Sequence, residues 1–144
     1  MVTRAQVVAC SRSFIGVPFR HMGRDRMGLD CIGLPLAVMR ELGIPFPDYP
    51  DGNYTRRGAG FELVRHCAVH AQGVPIARIQ DGDVAVFQEG QIPCHVGIIS
   101  HRGPATHVIQ ALGKTSWMKV VETPMAGEWA GKLRFAFHMP GVED

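Results

Sequence analysis

A chain of 144 residues, 46% hydrophobic and 19% charged, is long enough to bury a core without disulfide or metal staples, and it reads as one domain over residues 1–144. Its net charge is +2, with basic residues gathered only between Arg20 and Arg26 and at Arg56-Arg57, which is too little for a nucleic-acid footprint. No apolar run is long enough to span a bilayer, the N-terminus lacks a signal peptide's apolar core, and four widely spaced cysteines form neither a disulfide framework nor a CxxC pair, so synthesis in a reducing cytoplasm is expected.

Thr3 is placed to cap a first helix running to about Phe14, with Ala5, Val8 and Phe14 among its apolar positions and Gly16-Val17-Pro18 ending it. A polar, glycine-broken loop, RHMGRDRMG, leads to GLDCIGL, where Asp30 reads as the N-cap of a second helix ending at Leu42, before Gly43 and Pro45. Pro35 removes one amide from the early turns of that helix and predicts an irregular start. The proline- and glycine-rich stretch from Pro45 to Gly60 is a long loop; its Tyr49, Tyr54 and Arg56-Arg57 read as solvent-facing turn residues. A third helix from about Gly60 to Ala71 puts Phe61, Val64, Ala68 and Ala71 on one stripe, with Glu62, His66 and His70 on a solvated face.

Beyond Gly73 the apolar period falls to two. Val84 to Gln88, CHVGIIS, THVIQAL, MKVVETP and LRFAFHM predict about five antiparallel strands. Helices first and strands second predict an α+β domain, with N-terminal helices packed on a C-terminal antiparallel sheet.

Cys31 is the first candidate for chemistry. A free thiol ionises near about pH 8.5, and two devices lower that value: the positive end of a helix and a neighbouring imidazole. Cys31 has the first by position, at the opening turn of the second helix. The imidazole must come from elsewhere in the chain. His95 stands out among seven histidines because strand alternation puts His95, Gly97 and Ile99 on one face and Cys94, Val96 and Ile98 on the other. A glycine following on the same face leaves room for a close approach, such as that of a helix tip; spacing alone equally allows a strand-start histidine in water.

A general base needs a partner that fixes its tautomer. The strand THVIQAL offers His107, on the face of Ile109 and Ala111, or Gln110, on the face of Val108, and position leaves both open. A metal centre of Cys94, His95 and His107 is disfavoured, since adjacent strand residues face opposite ways, and HCAVH lacks the glutamate of HExxH.

These residues resemble a known family. FIGVPFRHMGRDRMGLDCIGLPLAVMRELGI is similar to the N-terminal motif of the NlpC-type cell-wall peptidases, the NlpC/p-sixty superfamily of papain-like cysteine enzymes, which reads roughly G-x-P-Y, a glycine-rich stretch, D-C-S-G-L and a helix. DGDVAVF resembles its G-D-L-hydrophobic-F strand, CHVGIIS its H-V-G-I strand, and VIQALGKTSWMKVVETP the following hairpin, which usually carries I-H-A. The similarity covers nearly the whole chain in order. D-C-I-G-L with R-H before it looks most like the phage-encoded branch, associated with tails or tail assembly.

The resemblance implies a papain-like α+β fold and a cysteine peptidase that cuts peptidoglycan stem peptides between D-glutamate and the following diamino acid. Cys31 takes the nucleophile's place and His95 that of the general base. Gln110 takes the third position because Ile109 and Ala111 flank it as in I-H-A; His107, twelve residues after His95, is the rival. Asp30 would cap the helix and bind the free amine of a stem peptide, and the Cys31 amide would help form an oxyanion hole. Phe19 stands where the family has a tyrosine that contacts substrate, and Ile32 where it has a serine. The resemblance implies no metal and no cofactor. The implied partners are peptidoglycan and phage tail proteins, with neither nucleic acid nor membrane, and the implied location is host cytoplasm at synthesis, then a tail acting on the wall. The rival use of the same fold is a catalytically silent tail-assembly or structural protein.

Overall fold

The computed structural model describes residues 1–49, 54, 60–113 and 118–144. Thr3 closes a capping box: its hydroxyl accepts from the Gln6 amide at 3.1 Å, and the Gln6 side chain accepts from the Thr3 amide at 2.9 Å. The helix so started, α1 (Arg4–Arg12), buries Val7, Val8 and Ser11 and stops two residues short of the predicted Phe14. Val2–Thr3 form a two-residue strand, β1, that pairs in parallel with Val142–Glu143 near the C-terminus.

Arg24–Asp25 (β2) and Gly28–Leu29 (β3) make a small hairpin inside the loop that leads to α2 (Gly33–Glu41). The third helix, α3 (Phe61–His70), falls where expected, but its buried stripe is turned toward Leu63 and Cys67, with Val64 and Ala71 of the expected stripe packed at the edge of the core. Leu63 and Cys67 are buried, whereas Phe61 is 60% exposed. Apolar residues at 61, 63, 64, 67, 68 and 69 offer two stripes, and packing against the sheet selects the one through Leu63 and Cys67.

The sheet has six strands where five were expected: β4 (Gln72–Val74), β5 (Val84–Glu89), β6 (Ile92–Arg102), β7 (Ala105–Leu112), β8 (Lys119–Pro124) and β9 (Leu133–His138). A short helix, α4 (Glu128–Lys132), precedes β9, and Val142–Glu143 are β10. The strands run in the order β4-β9-β5-β6-β7-β8, every neighbouring pair antiparallel. Val84, Val86, Val96, Ile98, Ile109, Ala111 and Val120 share the larger core with Leu34, Val38 and Leu63 from the helices. The opposite face carries Ala85, Phe87, Ile99, Val108 and Leu133, with Trp129 of α4 packed on it. The architecture is therefore the α+β class read from the sequence, with helices on one face of an antiparallel sheet.

Candidate active site

Asp30 builds the tip of α2. Its carbonyl accepts from the Leu34 amide at 3.1 Å and its Oδ1 from the Gly33 amide at 2.8 Å, so it acts as the N-cap and puts Cys31 in the first turn. Pro35 lacks the amide that would bond the Cys31 carbonyl, which is why regular helix begins only at Gly33. Asp30 is 3% exposed and fully engaged. Oδ1 also accepts from Arg24 Nη1 at 3.0 Å, while Oδ2 accepts from the Met22 amide at 2.8 Å and from the Tyr54 hydroxyl. A carboxylate offers about four lone-pair sites, and all four are taken from within the chain. Its charge faces the Arg24 guanidinium, which also reaches Asp48 at 3.1 Å and donates to the Tyr54 hydroxyl at 2.8 Å.

Close approach of the hairpin to the helix tip depends on glycine. A Cβ on Gly33 would collide with the Gly23 carbonyl and lie 3.2 Å from Arg24 Nη1. The same tight packing brings Met22 and Arg24 onto Asp30.

The tip of α2 enters the sheet where β6 and β7 part. Their ladder runs from Arg102↔Ala105 to Ile98↔Ile109 and goes no further, whereas β5 stays paired with β6 down to Glu89↔Ile92. Ile99 directs its amide and carbonyl toward the β5 side, so alternation turns the polar groups of Cys94 and Val96 toward the gap. Cys31 fills that gap: Sγ lies 4.0 Å from the Cys94 carbonyl oxygen, and the Val96 amide donates to it. The sulfur thus meets the backbone on both sides of His95, 64 positions downstream, edge-on to the sheet.

His95 projects from the face of Phe87 and Trp129, with ring centroids 5.7 and 5.4 Å away. Its Nε2 is 2.7 Å from Gln110 Oε1. Gln110 is fully buried, and its amide nitrogen donates to Thr123 Oγ1 at 2.8 Å, which turns the carbonyl oxygen toward the imidazole. An acceptor at Nε2 fixes the proton there and leaves Nδ1 as the basic nitrogen. His107 is not part of this group. It lies opposite Ser100, well along β6 from His95, with its Nδ1 3.2 Å from the Ala105 carbonyl. The parity that distinguished Gln110 from His107 therefore corresponds to a real difference of face.

Burial pushes the Cys31 thiol up to about 12; the Asp30 charge adds to this, and the Val96 and Ile32 amides pull the other way. A thiol in that state is neutral at ordinary pH, so nucleophilicity requires a base to remove its proton. Gly97 serves otherwise than expected: a Cβ there would strike the Val108 side chain and approach the Ile109 carbonyl to 3.2 Å, so the glycine admits β7 rather than the helix tip.

Phe19 lies half-buried against the core, with its amide donating to the Met118 carbonyl at 2.8 Å and its ring within 2.8 Å of where a Gly113 Cβ would sit. It is a wall residue next to the hairpin that carries Gln110. Tyr54, read as solvent-facing, is half-buried over Asp30. His66, read as solvated, is 2.8 Å through Nε2 from the Pro47 carbonyl and packs edge-on against Phe46 and Tyr49. Arg56-Arg57, and the greater part of the loop whose roofing of the cleft was in question, lie outside the described residues. Thr123, Trp129 and Arg24 went unassigned in the sequence, and Cys94 entered only in the disfavoured metal set; of the three, only Arg24, in a charged loop next to the motif, had a local signal. Among the described residues, no three or more His, Cys, Asp or Glu side chains converge to hold a metal ion.

The model of the NlpC/P60 family matches residues 16–132. This chain belongs to the NlpC/P60 family. No curated protein matches it in sequence. Its fold is similar to that of several NlpC/P60 structures. The domain of the peptidoglycan hydrolase SagA superposes with a TM-score of 0.65 at 22% identity, covering 96% of this chain and 100% of that one. The peptidoglycan hydrolase RipB of Mycobacterium tuberculosis gives 0.62 at 22% identity, covering 94% and 64%. RipD of the same organism, described as a non-catalytic NlpC/p60 domain protein adapted to peptidoglycan binding, gives 0.61 at 15% identity, covering 94% and 95%. The NlpC/P60 fold thus occurs in hydrolases and in a non-catalytic binder, and the site residues of each chain must be judged by their own geometry.

Proposed function

We propose that this NlpC/P60 domain is a cysteine peptidase acting on an amide bond of peptidoglycan stem peptides, between D-glutamate and the following diamino acid. The observation that carries the proposal is the seating of the Cys31 sulfur against the backbone on both sides of His95, with His95 held through Nε2 by Gln110. Cys31 attacks the scissile carbonyl carbon as His95 Nδ1 takes the thiol proton. The tetrahedral intermediate collapses, and His95 passes the proton to the departing amine. Water, deprotonated by His95, then hydrolyses the thioester and restores the thiol. Gln110 keeps the imidazole in one tautomer throughout, and Thr123 holds Gln110. Residues 1–144 act in this scheme as one catalytic domain, and the phage-like motif D-C-I-G-L supports delivery to the wall as part of a tail.

The test is release of new amino groups from purified peptidoglycan. Wild type releases them; Cys31→Ala, with unchanged circular dichroism, does not. A second reading, a wall binder without hydrolysis, is favoured by one observation, the thiol pushed up to about 12. Wild type that sediments with peptidoglycan and releases nothing establishes it, and the presence of the chain in purified tail particles, read by mass spectrometry, decides the tail assignment.

A further inference from the structure

Gln110 fixes one atom of the His95 ring, but proton transfer at Nδ1 depends on the plane in which the ring lies. The second side-chain torsion of histidine is broad and roughly two-fold, so the side chain does not set that plane by itself. The Cβ–Cγ bond points across the imidazole toward the edge between Nε2 and Cε1. An acceptor at Nε2 therefore lies near the axis of rotation and resists turning weakly. Nδ1 lies off that axis, and half a turn puts a carbon in its place. Contacts on the faces of the ring must hold it.

Two aromatic side chains supply such contacts. Phe87 stands directly opposite His95 in the β5–β6 ladder, with ring centroids 5.7 Å apart and planes inclined at 42°. Trp129 reaches the imidazole from α4 at 5.4 Å, inclined at 37°. The two also meet each other edge-on at 5.4 Å. The three rings close a triangle, so an imidazole that turns runs into one of two rings braced against each other. Phe87 is fully buried and fixed by β5, whereas Trp129 is half-buried and carried by a helix of 5 residues. Lys132 ties that helix to β5: its Nζ lies 2.8 Å from Glu89, with Glu128 at 3.4 Å and the Trp129 ring centre at 5.8 Å.

We infer that Trp129 is a positioning residue, whose indole holds the His95 imidazole in the plane that keeps Nδ1 turned to the Cys31 thiol. The inference rests on the reading of Cys31 and His95 as nucleophile and base. Aromatic pairs contribute beyond the area they bury, and their strength depends on the mutual angle of the rings, which is what setting a plane requires. Gln110 then selects the tautomer and Trp129 the orientation, so the two side chains perform separate tasks on one ring. Lys132 acts a step further out, by holding α4 where the indole meets the imidazole.

Trp129→Leu keeps an apolar cover but removes the flat face, and Trp129→Phe restores one. Folding is checked by circular dichroism, and Trp129→Met takes the place of Trp129→Leu should the leucine variant unfold. The first readout is the side-chain nitrogen NMR spectrum of His95 in mildly alkaline buffer, with its signals assigned by their loss in His95→Ala. Wild type and Trp129→Phe should show one protonated and one bare nitrogen, the tautomer that Gln110 selects. In Trp129→Leu the two signals should move toward each other as the ring turns and the tautomers exchange. The second readout is amine release from soluble peptidoglycan fragments: kcat should fall about three- to tenfold in Trp129→Leu with KM unchanged, and Trp129→Phe should recover most of it. Nitrogen signals in Trp129→Leu identical to those of wild type overturn the inference. So does a raised KM with kcat retained, which would make the indole a substrate contact. A wild type that releases no amine removes the peptidase reading, while the nitrogen signals still decide whether Trp129 holds the ring.

Discussion

Gln110→Met separates positioning from packing. Methionine keeps nearly the volume of glutamine but has no acceptor for His95 Nε2 and no donor for Thr123. Two hydrogen bonds, of 2.7 and 2.8 Å, are lost at a fully buried side chain. A buried polar group left unpaired costs about 1–3 kcal/mol. His95 and Thr123 are only half-buried, so water compensates in part and the low end applies, about 1–2 kcal/mol in a urea titration. The kinetic effect is larger. General acid–base catalysis supplies about 10²- to 10⁴-fold, and an imidazole free to turn loses most of it, so amine release from peptidoglycan should fall by about 10²-fold or more. Gln110→Glu keeps an acceptor at the same place and should recover part of the rate. Its negative charge favours protonated His95, so the acid limb of its pH–rate profile should move to higher pH. A Gln110→Met enzyme within about threefold of wild type, measured where both are folded, refutes the assignment of Gln110, since a tautomer-fixing contact is worth far more than that.

Gly33→Ala should lower stability by about 1–3 kcal/mol, because the new Cβ forces the Gly23 carbonyl and Arg24 away from the tip of α2; a thermal melt reads it. Glu122 should dominate part of the acid-unfolding profile. Burial alone would raise its carboxyl, but hydrogen bonds from Arg12, Ser100 and Arg102 hold it at about 2, below its ordinary 4.5. A depressed carboxyl contributes stability above the unfolded value and loses it as pH falls toward the folded one. Wild type should therefore weaken between about pH 4.5 and 2, and the Glu122→Gln profile should be flatter across that window.

Local chemistry was what the sequence carried legibly. Thr3 with Gln6, and Asp30 with Gly33, set helix starts through side chains three residues away, so both caps could be read in order along the chain. Strand parity put Gln110 and His107 on opposite faces, because a period of two survives any tertiary arrangement, but the choice between them came from the likeness to I-H-A. What escaped was decided by contacts between distant segments. β4, with the sequence QGV, is too short to announce itself and exists because β9 pairs with it. α3 turned to a different stripe because the sheet selects between two apolar faces. The ring of partners around Asp30 was not legible either, because Tyr54 reaches it from 24 positions away and Arg24 through the fold of the hairpin. Trp129 meets His95 only because α4 packs on the far face of the sheet.

The central claim is that a buried, intrinsically neutral thiol at the tip of α2 is activated by His95. Its most direct measurement is the rate of Cys31 alkylation by iodoacetamide against pH, in wild type and in His95→Ala, with the sites identified by mass spectrometry. Wild type should show an inflection well below about 12 and label Cys31 ahead of Cys10 and Cys67, and in His95→Ala that inflection should move up toward the value set by burial and Asp30. Superimposable profiles in the two proteins would mean that the imidazole does not act on the sulfur.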